Sequence, residues 1–126
     1  MPAIESITGR GPVRTTVVSQ LTPGERLPPA VERAAYFVVS EALANVAKHS
    51  DATACEVRCR HEGQDLVVEV WDDGRGGATV EPGGGLAGLQ TRVAGVDGRF
   101  SVSSPPGGPT LVRAVLPVTA SVVAPR

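Results

Sequence analysis

The sequence predicts an α+β domain, a two-layer α/β sandwich whose mixed, mostly antiparallel sheet is covered on one face by helices. Three observations predict it. Apolar residues recur at helical spacing in two segments, 29–49 and 86–96. Short segments at 13–21, 53–61, 65–72, 99–104 and 110–117 carry strand character, several with apolar and polar residues alternating at the period of two of a half-buried strand. Their order, strand, helix, two strands, helix, two strands, places two antiparallel hairpins after the first helix.

Residues 1–12 carry glycine and proline and read as a flexible leader. "VRTTVVSQL" is the first strand and "TPGERLPP" a loop, after which Pro29 stands at a first helical position, where its missing N–H costs nothing. The helix runs to His49, and "SDA" turns the chain. Residues 53–61 and 65–72 pair across "EGQ"; "DDGRGGATVEPGGG" is a glycine-rich loop that leads into the helix from Leu86 to Val96. "RFSVSS" and "TLVRAVLP" are joined by "PPGGP", and 119–126 form a tail. The chain divides into leader 1–12, domain 13–118 and tail 119–126, with no internal repeat.

At 126 residues the chain fits one domain with a real core. A net charge of −1 and 3% aromatic residues supply neither the basic footprint nor the stacking platforms of nucleic-acid binding, so no nucleic-acid partner is expected. No apolar run approaches the roughly 20 residues of a membrane span, and the first residues lack a signal peptide's charged start and apolar core. The expectation is a cytoplasmic domain without membrane contact of its own. Cys55 and Cys59 alternate with Glu56 and Arg58 along a strand, where four residues span about 13 Å, too far for a mutual disulfide. Two Cys and two His make a poor zinc set. Small core residues is the reading these cysteines favour.

The stretch "SEALANVAKHSDA" sets Glu41, Asn45, Lys48 and His49 within about a quarter-turn of helix, opposite Val39, Ala42, Leu43 and Val46. A solvated face and a functional face both fit that pattern. In "LVVEVWDDG", Leu66, Val68 and Val70 share one strand face and Asp72 is next in register, so its carboxylate points into the apolar layer and needs a partner. Asp73 takes the other face, where it can be solvated. Thr110 is in register with Val112, Ala114 and Leu116, so its hydroxyl also faces inward. Together they describe a pocket floor between glycine loops, although an Asp that braces the following turn accounts for Asp72 equally. Gly83, Gly85 and Gly88 in "GGGLAGLQTRV" would let phosphates approach the free N–H groups at a helix start. As a dinucleotide fingerprint the run fails, since no strand directly precedes it and no acidic residue follows Asp97; a Walker loop is absent.

Taken in order, "ExxxNxxKHS", "DDGRG", "GGGLAGL" and "PGGPT" resemble the N box, two glycine boxes and final Gly-Thr turn of the ATPase superfamily shared by gyrase, Hsp90, histidine kinases and MutL, whose shared architecture is the Bergerat fold. Within it, "LPPAVERAAYFVVSEALANVAKHSDA" and the segment from "GGGLAGLQTRV" to the last strand are most similar to the catalytic domain of sensor histidine kinases that partner NarL/LuxR-type response regulators. The likeness covers residues 13–117. It implies Glu41 as general base toward an incoming histidine, Asn45 as Mg²⁺ ligand, and Lys48 and His49 along the triphosphate of ATP. It implies Asp72 as acceptor of the adenine amino group, with Thr110 helping through a water. Gly74 and Gly76 of the first glycine box, and Gly83, Gly85, Leu86 and Gly88 of the second, would line the nucleotide.

The sequence departs from the wider pattern in a short lid between Gly77 and Gly83 with no phenylalanine, and in Ala87 and Gln90, where relatives often carry charge. Phosphate contacts from that box should then be mostly backbone, and Arg92 stands either near the phosphates or on the surface. The phosphoacceptor histidine of such kinases lies on a dimerisation domain upstream, so the chain reads as an excised catalytic domain whose parent carries dimerisation helices and a sensor, either membrane-anchored or not. An anti-sigma-type serine kinase and a non-catalytic nucleotide-sensing module of the same fold are the alternatives.

Overall fold

The computed structural model describes residues 13–21, 27–49 and 51–118; of His49 it describes the backbone. Among these residues five strands and two helices follow in the expected order: β1 (Arg14–Ser19), α1 (Pro29–His49), β2 (Ala54–Glu62), β3 (Asp65–Asp72), α2 (Gly85–Ala94), β4 (Arg99–Ser103) and β5 (Thr110–Pro117). The α+β prediction holds, and boundaries move by one or two residues. The leader at 1–12 and the tail at 119–126 lie outside the described residues.

The strands form one sheet in the order β1-β2-β3-β5-β4. Among the described residues only β1 and β2 run parallel, and α1 is the crossover a parallel pair requires. The β2–β3 hairpin closes through Gly63 and Gln64, with Gly63 at φ 61°, a left-handed backbone that glycine adopts without a Cβ clash.

One face of the sheet carries both helices. On α1, Val31, Ala34, Ala35, Val38, Val39, Ala42, Leu43 and Val46 are buried, a stripe at three- and four-residue steps. On α2, Leu86, Leu89 and Val93 are buried, and each such side chain contributes about 1.5–3 kcal/mol by leaving water. They meet Val57, Cys59, Leu66, Val68, Val70, Val112, Ala114 and Leu116 in one apolar cluster. Both cysteines are free and buried, and burial pushes their thiols above the ordinary range, as suits core residues rather than nucleophiles.

Registers across all five strands line up the inner face in rows. One row is Val17, Val57, Val70, Val112 and Val102, an unbroken valine layer. The next row toward the glycine loops runs Thr15, Cys55, Asp72 and Thr110. It is completed by Ser104, one residue past β4, whose hydroxyl lies 2.6 Å from Thr110 Oγ1. The inner layer therefore changes from apolar to polar within one step, at the end where the loops gather.

The outer face bears an ion-paired patch in which Arg60 meets Glu62 and Glu69, each at 2.8 Å. Val67, on that face, is nonetheless fully buried, between Arg60 and Val115 in register. Long charged side chains can cover apolar surface in this way. Among the described residues no helix is long and apolar enough to cross a membrane.

Candidate functional site

Above the polar row lies a cavity of about 410 Å³ lined by Asn45 of α1, residues 75–79 and 81 of the loop after β3, Gly84, Gly85 and Leu86 at the start of α2, and Thr110 of β5. The helix face singled out in the sequence thus divides. Asn45 lines the cavity, and Glu41, one turn earlier, reaches α2, with its Oε2 2.7 Å from where a β-carbon on Gly85 would stand. Lys48 is exposed in the last turn of α1. The His49 side chain lies outside the described residues.

Asp72 and Thr110 do point inward, with 2% and 4% of their surfaces exposed. Asp72 Oδ1 accepts a hydrogen bond from the Gly74 N–H at 2.8 Å, so the turn-bracing reading of this residue is realised with one of its oxygens. Burial raises its pKa above the ordinary carboxylate value, opposed by the Gly74 N–H and assisted by the neighbouring charge of Asp73. Asp73 corrects the expectation of a merely solvated group. Although exposed, it accepts from Thr53 N–H and Thr53 Oγ1 at 2.9 Å and from Ala54 N–H at 3.1 Å, tying the end of β3 to the start of β2. Those bonds, led by the Ala54 amide, hold its pKa below the ordinary value.

The first glycine box and the β4–β5 turn interlock through backbone. A β-carbon at Gly76, with φ 69°, would overlap the Pro105 carbonyl oxygen, and one at Gly108, with φ 82°, would overlap the Gly74 carbonyl. Gly107 N–H donates to the Arg75 carbonyl at 2.7 Å, and Gly77 N–H to the Ser104 carbonyl at 2.9 Å. Gly74 is buried in this joint. The second box opens α2. Gly84 stands at the helix N-cap with extended backbone and supplies no side-chain cap, leaving the first-turn N–H groups without a side-chain partner there. Gly83, at φ 81°, and Gly88 have open space where a side chain would go. Arg92, in the last turn of α2, stacks over the Phe37 ring of α1 at 4.1 Å from its centroid, which assigns it to the seam between the helices.

Ser104 escaped the sequence reading. The register rule that singled out Asp72 and Thr110 also applies to it, because Phe100, Val102 and Ser104 share the inward parity of β4.

Residues 30–120 match the family described as histidine kinase-, DNA gyrase B-, and HSP90-like ATPase. The chain belongs to that family. As an ATPase domain of the histidine-kinase type it is an ATP-binding domain. It is similar to the signal transduction histidine-protein kinase/phosphatase DegS of Brevibacillus brevis, 31% identical over 99 residues, covering 76% of this chain and 26% of that protein. It is also similar to the sensor histidine kinase YxjM of Bacillus subtilis, 33% identical over 85 residues, covering 66% of this chain and 21% of that protein. The ATPase domain thus spans about a quarter of the length of these relatives. Among solved structures, the histidine kinase domain of the Erythrobacter litoralis EL346 blue-light activated histidine kinase superposes with a TM-score of 0.78 at 24% identity, over 98% of this chain and 60% of that one, a likeness of fold.

Proposed function

We propose that the domain is the catalytic module of a two-component sensor histidine kinase: it binds Mg-ATP and transfers the γ-phosphoryl group to a histidine on a separate dimerisation domain. A response regulator of the NarL/LuxR type is the downstream partner. The observation that carries this reading is the cavity itself, which sets Asn45 of α1, with Glu41 a turn away, opposite the glycine loops, with Thr110 in its lining and the inward Asp72 beside Thr110 in register.

Each group then has work it suits. Asp72 keeps Oδ1 on the Gly74 amide and offers its other oxygen to the adenine amino group, while Thr110 supports the base from the same row. Backbone N–H groups of residues 85–87, at the start of α2, face the phosphates, where free donors and the helix dipole favour anions, whereas the Gly84 and Gly88 amides are given to the Glu81 and Gly84 carbonyls. Lys48, exposed in the last turn of α1, would lie along the triphosphate, the role the sequence also assigns to His49. Among the described residues no three His, Cys, Asp or Glu side chains gather closely enough to hold a metal alone. One amide oxygen, that of Asn45, fits Mg²⁺, which takes its remaining oxygens from phosphates and water. Bound there, Mg²⁺ would supply charge neutralisation between the phosphates. Glu41 accepts the proton of the incoming histidine, and transfer otherwise asks the domain for positioning.

Calorimetric titration of ATP with and without Mg²⁺, followed by phosphotransfer to an added dimerisation domain, tests the proposal. The chain is expected to bind ATP, to lose Mg²⁺ dependence in Asn45→Ala, and to label the added domain on histidine. Acid-labile labelling of this chain by itself, or a failure to bind ATP, overturns it. Glu41→Gln should leave affinity within a few-fold and cut transfer by about 100-fold or more.

A further inference from the structure

We infer that Ser104 is a positioning residue of the nucleotide site, locking the Thr110 hydroxyl and the stem of the loop over the cavity into one arrangement; the inference rests on the proposed placement of adenine at Asp72 and Thr110. Ser104 holds three groups at once. Its main-chain carbonyl accepts from Gly77 N–H at 2.9 Å, its Oγ accepts from Ala78 N–H at 2.9 Å, and the same Oγ lies 2.6 Å from Thr110 Oγ1.

The hydrogen-bond inventory narrows this arrangement. A serine hydroxyl has one donor and two acceptor positions, and the Ala78 amide, which can only donate, takes one acceptor position. What remains is shared with Thr110, so the Thr110 hydroxyl loses its free rotation and turns its unused hydrogen-bonding capacity toward the cavity it lines. Gly77 and Ala78 are consecutive in the loop, and both of their amides are held by this one residue. The purine end of the cavity and the loop that covers its phosphate end therefore share a single anchor.

The test is titration of ATP and GTP against the wild-type chain, Ser104→Ala, Ser104→Thr and Asp72→Asn, with amide hydrogen exchange at Ala78 and a thermal melt for each. Ser104→Ala is expected to weaken ATP binding roughly 3- to 10-fold, the scale of one net neutral hydrogen bond. It should also shrink the preference for ATP over GTP and speed Ala78 exchange, while Ser104→Thr, which keeps the hydroxyl, restores all three. Should Ser104→Ala not fold, Ser104→Cys, close in size but a weak acceptor, takes its place. Loss of affinity in Asp72→Asn with no change of preference or exchange in the Ser104 variant overturns the role of Ser104 while sparing the base pocket. Unchanged ATP affinity in Asp72→Asn overturns the base pocket and this inference with it.

Discussion

Glu41 and Gly85 are fitted to each other by the absence of one carbon: a β-carbon on Gly85 would stand 2.7 Å from Glu41 Oε2. Gly85→Ala is accordingly expected to push the carboxylate aside and, since misplacing a reacting group by about 1 Å can cost about 100-fold, to slow phosphotransfer on that order. Combined with Glu41→Gln, it should add little, because both act through one group. Single-turnover transfer to a supplied dimerisation domain measures this, and losses that multiply would show that Gly85 acts elsewhere.

Asp72 sets function against stability. Its pKa is raised, so the stability it contributes is complete below the unfolded-chain value of about 3.9 and is lost as pH rises through its higher folded value. At neutral pH the unliganded Asp72→Asn domain should melt no lower than the wild type. Its ATP affinity should nevertheless fall about 10- to 150-fold, the worth of a buried bond to a charged acceptor. GTP, with a carbonyl where adenine carries its amino group, should bind the wild type poorly. A variant that loses stability and keeps affinity would contradict both statements.

Asp73 has the opposite sign. Its lowered pKa means that its stability is present above about 3.9 and is lost as pH falls through the folded value. Asp73→Asn should lower the melting temperature at pH 7 and flatten the acid limb of the stability curve, with ATP affinity of the folded protein unchanged. Melting curves from pH 2 to 7 decide this; a drop in affinity equal to that of Asp72→Asn would place the carboxylate in the pocket instead.

Arg92→Ala removes a guanidinium from the Phe37 ring and should cost about 0.5–1 kcal/mol of stability, the range for exposed cation–π pairs. Calorimetry should find nucleotide affinity intact. A large loss of affinity would return Arg92 to the phosphates.

Much of this was legible in the chain. Periodicity alone placed seven elements, and strand parity alone turned Asp72 and Thr110 inward. What parity could not supply is strand order. Only when β5 lies between β3 and β4 do Asp72, Thr110 and Ser104 become neighbours, and nothing in the residues of β4 announces that position. Asp73 is exposed, as its parity implies, but its bonds went unread for a related reason: its partners at Thr53 and Ala54 lie 20 and 19 residues back and reach it only through the hairpin. The contact of Glu41 with Gly85 likewise joins elements far apart in sequence, so a motif could name both residues without saying that they touch.

The row that runs from Thr15 through Asp72 to Ser104, beside a layer of five valines, leaves the interior unfinished at one end. A purine has apolar faces and a polar rim, the two surfaces that this end of the sandwich is short of. The substrate would then complete the protein as a last packed piece, and nucleotide at about 100 times its Kd would add about 2.7 kcal/mol to the stability of the fold. Each turnover would alternate the domain between a closed interior and an open one, so the cellular ATP level would set how firmly the module holds together as well as how fast it works.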